Sequence, residues 1–153
     1  MKLKIHKSVP RGRVTAPPSK SMAHRLLISA AMADGVSTLH GVCDCEDVAA
    51  TIDCLRALGA DITKDGDTVT VRGIDMRGAS PSAVLDCRES GSTLRFLIPI
   101  ALLSGRNTQF FGSESLMRRP LDVYERLSAE KGYVYNADDR SVAVRGPLAP
   151  GEY

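Results

Sequence analysis

Aromatic side chains are scarce in this sequence, which has no tryptophan, three phenylalanines and four tyrosines in 153 residues. Few platforms are therefore available on which exposed nucleic-acid bases would stack. The formal net charge of +2 is also too small to argue, through the bulk field, for nucleic acid or an anionic membrane surface. We expect neither nucleic acid nor a membrane as a partner, so any affinity for anions has to be local.

The chain also opens without the long apolar core of a signal peptide. The alternation of Leu3, Ile5 and Val9 predicts instead a strand within Met1–Val9. We therefore expect the protein to remain in the cytoplasm, where it is made.

Cysteine spacing excludes two classes of small protein. The spacing of the four cysteines is neither that of a disulfide-rich miniprotein nor that of a zinc knuckle. Reduced thiols are expected at Cys43, Cys45, Cys54 and Cys87. A metal cluster around His40 and the C-x-C pair ranks below this interpretation, because a single pair is weak evidence for a metal site.

The composition is that of a globular protein with a core. Hydrophobic residues make up 43% of the chain and charged residues 25%, so neither disorder nor a fibrous repeat is indicated. A chain of 153 residues is about one ordinary domain and buries roughly two-thirds of its unfolded surface.

The segment Pro17–Gly35 predicts a helix whose N-terminus can bind an anion. Two prolines set an extended entry, Ser19 is a natural N-cap, and a glycine ends the run of helix formers. Lys20 and Arg25 lie within reach of one spot at this N-terminus, where the first turn offers unpaired N–H groups. On spacing alone, two solvated surface charges would be the safer interpretation.

A second copy of the pattern favours the anion-binding interpretation over two solvated surface charges. Ser21–Gly35 aligns with Gly91–Gly105, which pairs Arg25 with Arg95, and VTVRG at residues 69–73 recurs as VAVRG at residues 142–146. Both copies have the order helix, strand, helix and hairpin, which favours duplication of one α+β unit over chance.

The first copy continues with a strand from Val36 and an amphipathic helix over Asp44–Leu58, which Asp44 or Asp47 can cap. A hairpin follows, with strands at 60–63 and 68–72 that join at Gly66.

The second copy has a helix over Gly91–Ser104, in which Pro99 interrupts the third turn and should kink it. A strand at 107–112, a helix over Pro120–Lys131 and a hairpin that turns at 138–140 complete this copy. Pro120 is expected at the first helical position, which holds Arg118 and Arg119 just outside a helix N-terminus. One arginine of such a pair usually turns inward when an anion is present.

Three segments carry a family resemblance: PSKSMAHR at 18–25, DCRESGSTLRFLIP at 86–99 and MRRPL at 117–121. In this order they resemble the N-terminal half of the 5-enolpyruvylshikimate-3-phosphate synthase family (3-phosphoshikimate 1-carboxyvinyltransferase). The resemblance implies an inside-out α+β fold, with three βαβαββ units in each of two domains, of which two units are present here. It divides the chain into a strand and linker at 1–16 that belong with the other domain, a first unit at 17–80 and a second unit at 81–153.

The resemblance also implies an activity and a site. The family transfers the enolpyruvyl group from phosphoenolpyruvate to the 5-hydroxyl of shikimate 3-phosphate and releases phosphate, without a cofactor or metal. Lys20 resembles the family's catalytic lysine, which contacts phosphoenolpyruvate. The remaining site residues resemble contacts of shikimate 3-phosphate (Ser21 and Arg25) or of phosphoenolpyruvate (Gly91, Arg95 and Arg119). Gly91 further implies sensitivity of the whole enzyme to glyphosate.

The sequence departs from the family in two ways. Arg88 and Glu89 stand where many members have Gly-Asn, and the third unit and second domain, with the proton-transfer residues, do not follow. We expect an incomplete portion, inactive alone, whose partner is the missing C-terminal domain. Two alternatives stay open: a relative of UDP-N-acetylglucosamine enolpyruvyl transferase, for which no sugar-nucleotide motif is evident, and a non-catalytic phosphate-binding module.

Overall fold

The structure, a computed structural model, describes residues 3, 4, 6, 7, 9, 11–77 and 82–152. These residues form helices α1 (Lys20–Met32), α2 (Glu46–Ala57), α3 (Gly91–Ala101), α4 (Glu114–Met117) and α5 (Asp122–Lys131). They also form strands β1 (Val36–Leu39), β2 (Asp61–Asp65), β3 (Thr68–Arg72), β4 (Ala83–Asp86), β5 (Asn107–Phe111), β6 (Val134–Ala137) and β7 (Ser141–Arg145). The α+β class predicted from the sequence is confirmed.

The strands form two sheets that repeat one order. The first is antiparallel with the order β1-β3-β2, and the second has the order β4-β5-β7-β6, in which only β4 and β5 are parallel. The two VxVRG segments are the inner strands β3 and β7, and each buries both of its valines. Strands β5, β7 and β6 thus reproduce the arrangement of β1, β3 and β2.

The helices and both sheets share one hydrophobic core. Helix α2 packs against α1, α3 and β4, and the cluster of buried side chains includes Leu27 on α1, Leu55 on α2, Leu97 on α3 and Phe110 on β5. This shared core fixes the N-termini of α1 and α3 relative to each other. Within the described part of the chain, no helix combines the length and the apolar character needed to cross a membrane.

The glycine that ends each VxVRG segment lies against the C-terminal end of a helix. A Cβ on Gly73 would stand 1.9 Å from the carbonyl oxygen of Ala33, and one on Gly146 would stand 2.2 Å from the carbonyl oxygen of Leu102. Neither distance leaves room for a side chain. The repeated glycine therefore has a packing reason, which is the close approach of a strand end to α1 or α3.

Two predicted helix starts are wrong. Asp44 and Asp47 do not cap α2, whose N-cap is Cys45 without a side-chain cap bond, because the carboxylates bind Lys64 and Lys20 instead, each at 2.6 Å. Helix α5 begins at Asp122 rather than at Pro120.

The late start of α5 has a backbone cause. The first turn closes through Tyr124 N, which donates to Leu121 O at 2.9 Å. The carbonyl of Pro120 instead accepts from Arg95 Nη2 at 3.3 Å. Two short elements, β4 and α4, were not predicted from the residue pattern, although the βαβαββ unit that the family resemblance implies does begin with a strand.

The predicted N-terminal strand lies partly outside the described residues, because Met1 and Ile5 are among those omitted. The described residues of that segment (Leu3, Lys4, His6, Lys7 and Val9) belong to no strand. The side chains of Leu3 and Val9 are exposed. Gly66 in the first hairpin has the positive φ that its turn predicts, +56°.

Candidate anion-binding site

The first helix N-terminus has the cap that the sequence predicts. Ser19 Oγ accepts from Met22 N at 3.3 Å, and α1 begins at Lys20. Lys20 Nζ donates to Asp47 Oδ2 at 2.6 Å, and this bond to a carboxylate raises the pKa of Lys20. The ammonium group is thus charged at neutral pH and aimed at the start of α2.

Arg25 lies one turn further along α1. Its Nη1 donates to Ser21 O at 2.7 Å, and its guanidinium carbon stands 5.0 Å from the centre of the Phe96 ring. That distance is within the range of a cation–π contact. Ser21 itself is exposed on the first turn of α1.

The N-terminus of α3 faces the same region. Ser90 is its N-cap, and Ser90 Oγ accepts from Thr93 N at 3.2 Å. A Cβ on Gly91 would lie 2.8 Å from Arg119 Nη1 and 3.0 Å from Arg95 Nη1. The missing side chain at this position therefore lets two guanidinium groups approach the first turn of α3.

These elements enclose a cavity of about 530 Å³. Its cations are Lys20, Arg95 and Arg119, and the rest of its lining is Asp47, Glu89, Gly91, Ser92 and Phe96. Of the residues predicted for the site, four line this cavity, whereas Arg25 lies beside it, over Phe96, and Ser21 is not part of the lining. The helix N-terminus and the three cations favour an anionic ligand.

The two carboxylates of the cavity were not predicted as site residues. Glu89 Oε2 lies 3.8 Å from Arg119 Nη2 and accepts from Ser115 Oγ at 2.9 Å. Hydrogen bonds from Ser113 and Ser115 lower the pKa of Glu89, so its carboxylate is ionised at neutral pH. The sequence offers little signal for Asp47, because it lies 27 residues from its partner Lys20.

Two arginines that the sequence places near the site turn away from the cavity. Arg88 has a positive φ of 51° and binds α2, with Nη1 2.7 Å from Glu46 Oε2 and Nη2 2.7 Å from Asp53 Oδ2. Arg118 pairs with Glu114 on α4. Of the two residues at which the sequence departs from the family pattern, Arg88 is therefore outside the cavity lining, whereas Glu89 is part of it.

A buried polar chain lies beneath the site. Thr51 Oγ1 on α2 is 2.7 Å from both His24 Nδ1 and Thr93 Oγ1, and Thr93 Oγ1 donates to Ser90 Oγ at 2.6 Å. All four side chains are almost fully buried, and burial lowers the pKa of His24. This chain of side-chain hydrogen bonds joins α1, α2 and the N-cap of α3.

The cysteines are free thiols, as predicted. The Sγ atoms of Cys43 and Cys45 are 3.8 Å apart. Across the described ranges, no three His, Cys, Asp or Glu side chains are grouped so that they would hold a metal ion.

Comparisons with known proteins identify the family of this chain. The family described as EPSP synthase (3-phosphoshikimate 1-carboxyvinyltransferase) matches residues 6–128. Over 159 residues the chain is 42% identical to the 3-phosphoshikimate 1-carboxyvinyltransferase of Clostridium beijerinckii. The aligned region covers 99% of this chain and 37% of that protein. The corresponding protein of Clostridioides difficile is 36% identical over 162 residues, with 99% and 37% covered.

Solved structures give the same result. An EPSP synthase from Acinetobacter baumannii matches with a TM-score of 0.75 and 27% identity, over 88% of this chain and 32% of that chain. The enolpyruvyl transferase NikO from Streptomyces tendae shares the fold alone, with a TM-score of 0.56 and 17% identity over 86% of this chain and 31% of that chain. The chain thus spans about a third of the length of the relatives that it matches. Because the family match extends over most of the chain, this protein belongs to the EPSP synthase family.

Proposed function

We propose that this chain supplies the anion-binding part of an enolpyruvyl transferase, which transfers the enolpyruvyl group of phosphoenolpyruvate to the 5-hydroxyl of shikimate 3-phosphate. The observation that carries the proposal is the cavity in which Lys20, Arg95 and Arg119 meet beside the N-terminus of α3. Fully ionised phosphoenolpyruvate carries three negative charges. Three cations match them, and the two arginines provide planar pairs of donors for phosphate or carboxylate oxygens.

Shikimate 3-phosphate is assigned to the neighbouring start of α1. Arg25 is held there by the Ser21 carbonyl and by the Phe96 ring, and Phe96 also lines the cavity. In this proposal the segments 17–80 and 81–153 supply one helix N-terminus each, so the two substrates meet where α1 and α3 begin. Lys20, which begins α1 and also lines the cavity, is assigned the catalytic contact with phosphoenolpyruvate.

In the proposed reaction, the 5-hydroxyl oxygen of shikimate 3-phosphate bonds to C2 of the enolpyruvyl group. That hydroxyl gives up its proton, and a proton is added to the methylene carbon. The tetrahedral intermediate then loses the methyl proton and inorganic phosphate, which restores the double bond. The groups that move these protons are assigned to the part of the enzyme that this chain does not span.

The assignment to an enzyme rather than to a phosphate-binding module is supported by the relatives, of which this chain spans only about a third. The chain alone is therefore proposed to bind anions without turnover, in the cytoplasm, with the rest of the enzyme as its partner. Sensitivity of the whole enzyme to glyphosate, expected from Gly91, stays a prediction.

A titration of isotope-labelled chain with inorganic phosphate tests this proposal. Two or three charge-assisted hydrogen bonds of about 1.5 to 3 kcal/mol each, reduced by the cost of immobilisation, lead to a dissociation constant of about 1 mM. The amide signals of Ser19–Met22 should move, and the shifts should weaken as salt is added. The same chain, given both substrates, should release no phosphate.

A pair of variants locates the binding. Arg25→Ala should remove the shifts at the start of α1 and keep the folded spectrum. Arg126→Ala is the matched control, because Arg126 is exposed on α5 and pairs only loosely with Glu130, at 4.0 Å. Equal loss of binding in both variants would mean that phosphate is attracted by overall charge. No loss in either variant would mean that the assignment of Arg25 is wrong.

A further inference from the structure

Pro99 creates a gap in the backbone hydrogen bonds of α3. The helix continues from Gly91 through Pro99 to Ala101. Proline has no N–H, so the carbonyl of Arg95, four residues earlier, lacks the donor that a regular helix would provide. A backbone carbonyl generally needs a substitute partner when its regular one is missing.

Tyr124 on α5 provides that substitute. Its hydroxyl donates to the carbonyl oxygen of Arg95 at 2.7 Å, a short and therefore strong hydrogen bond. Tyr124 is half-buried, and burial raises the pKa of its hydroxyl, so the proton that the bond requires is present at neutral pH. Tyr124 is fixed in turn by Tyr133, whose hydroxyl donates to Tyr124 O at 2.6 Å.

The same two segments also meet at the side chain of Arg95. Arg95 Nη2 donates to Pro120 O at 3.3 Å, and Arg119, which lines the cavity, directly precedes Pro120. The start of α5 therefore contacts Arg95 twice, at its carbonyl and at its guanidinium. Any movement of this segment away from α3 would separate the two arginines of the cavity.

We propose that Tyr124 is a positioning residue for the anion-binding arginines. Its hydroxyl closes the gap that Pro99 leaves at the Arg95 carbonyl and so holds the start of α5, with Arg119, against α3. The contact between the Tyr124 hydroxyl and the Arg95 carbonyl does not depend on the function proposed above. Only its consequence for anion affinity rests on that proposed function. Tyr124 is not part of the cavity lining and acts through Arg95.

A double-mutant cycle with Pro99→Ala tests the contact. In the unmodified chain, Tyr124→Phe removes a single hydroxyl group and should lower the unfolding midpoint by about 3 °C. Pro99→Ala restores an N–H for the Arg95 carbonyl. In that background, Tyr124→Phe should lower the midpoint by less than about 1 °C.

Tyr135→Phe is the control, because it removes the same group from strand β6 and should shift the midpoint equally in both backgrounds. Equal shifts for Tyr124→Phe in the two backgrounds would overturn the proposal, since the hydroxyl would then not compensate for Pro99.

A phosphate titration tests the positioning role, with the side-chain Nε signals of Arg95 and Arg119 as readout. Tyr124→Phe should weaken binding by about fivefold, and the Tyr124→Phe/Pro99→Ala chain should regain most of it. Unchanged affinity in Tyr124→Phe would overturn the positioning role. If phosphate fails to bind even the unmodified chain, the proposed function is wrong, whereas the thermal cycle still decides whether Tyr124 compensates for Pro99.

Discussion

Each cation of the cavity already has an oxygen partner from this chain. Lys20 binds Asp47, Arg119 lies near Glu89, and Arg95 binds the carbonyl of Pro120. Before an anion arrives, these oxygens hold the cations close to the N-terminus of α3. An anionic ligand therefore has to displace or share these partners. The carboxylates of Asp47 and Glu89, which position the cations, also reduce the affinity of the site for anions.

Glu89 is the partner whose removal should raise that affinity. Glu89→Gln keeps an oxygen that accepts from Ser115 and removes the negative charge beside Arg119, so phosphate should bind about threefold more tightly at low salt. Calorimetric titration with phosphate measures the change. Glu114→Gln is the control, because Glu114 pairs with Arg118 outside the cavity lining. Weaker binding in Glu89→Gln would show that the carboxylate mainly orients Arg119.

Local sequence signals predicted several residues of the candidate site. The cap at Ser19, the glycine at Gly91 and an inward-facing arginine beside Pro120 follow from helix starts, backbone access and a charge pair. Asp47 and Glu89 escaped prediction as site residues because their partners, Lys20, Arg119 and Ser115, come from other segments of the chain. Only the packed helices bring these groups together.

At the scale of elements, periodic helices and hairpins with a glycine turn were predictable, whereas helix boundaries depended on tertiary contacts. The start of α2 is set at Cys45 because lysines from elsewhere hold Asp44 and Asp47. The start of α5 is delayed because Arg95 uses the Pro120 carbonyl. Strand β4 and helix α4, four residues each, are too short to produce a periodic signal.

The contact between Gly73, which follows β3, and the C-terminal end of α1 is predicted to be rigid. Gly73→Ala places a Cβ against the backbone oxygens of Ala33 and Ala30, at 1.9 and 2.9 Å, and should lower the free energy of unfolding by about 3 kcal/mol. Gly105→Ala is the control, because its nearest neighbour, Pro147 Cδ, would be at an ordinary 3.6 Å. Urea denaturation measures both. Similar midpoints for the two variants would mean that the end of α1 shifts freely to make room.

At the scale of the whole molecule, the two repeats form one packed body. Helix α2 of the first repeat contacts α3 and β4 of the second, and Cys54 Sγ donates to Asp86 O at 3.3 Å. A hydrogen bond between the buried hydroxyls of Thr51 and Thr93 also joins the two repeats. Unfolding of the second repeat would expose the apolar face of α2, and unfolding of the first would uncover the sides of α3 and β4 that α2 covers. Either event would separate Thr51 from Thr93, so neither repeat should unfold alone.

The distribution of tyrosine makes this cooperativity measurable. All four tyrosines follow residue 123 and there is no tryptophan, so tyrosine fluorescence reports only the second repeat, whereas far-ultraviolet circular dichroism reports both. The two urea transitions should coincide. Thr51→Val, a change in the first repeat, leaves the buried His24 and Thr93 short of a partner and should cost about 1–3 kcal/mol.

Because the repeats share one core, the midpoint from tyrosine fluorescence should fall by as much as the midpoint from circular dichroism. Thr63→Val, on the exposed side of β2, is the control and should leave both midpoints nearly unchanged. If Thr51→Val shifts the circular dichroism transition while the tyrosine transition stays in place, the repeats unfold separately. The buried chain from His24 to Ser90 would then not couple the two helix N-termini that form the site.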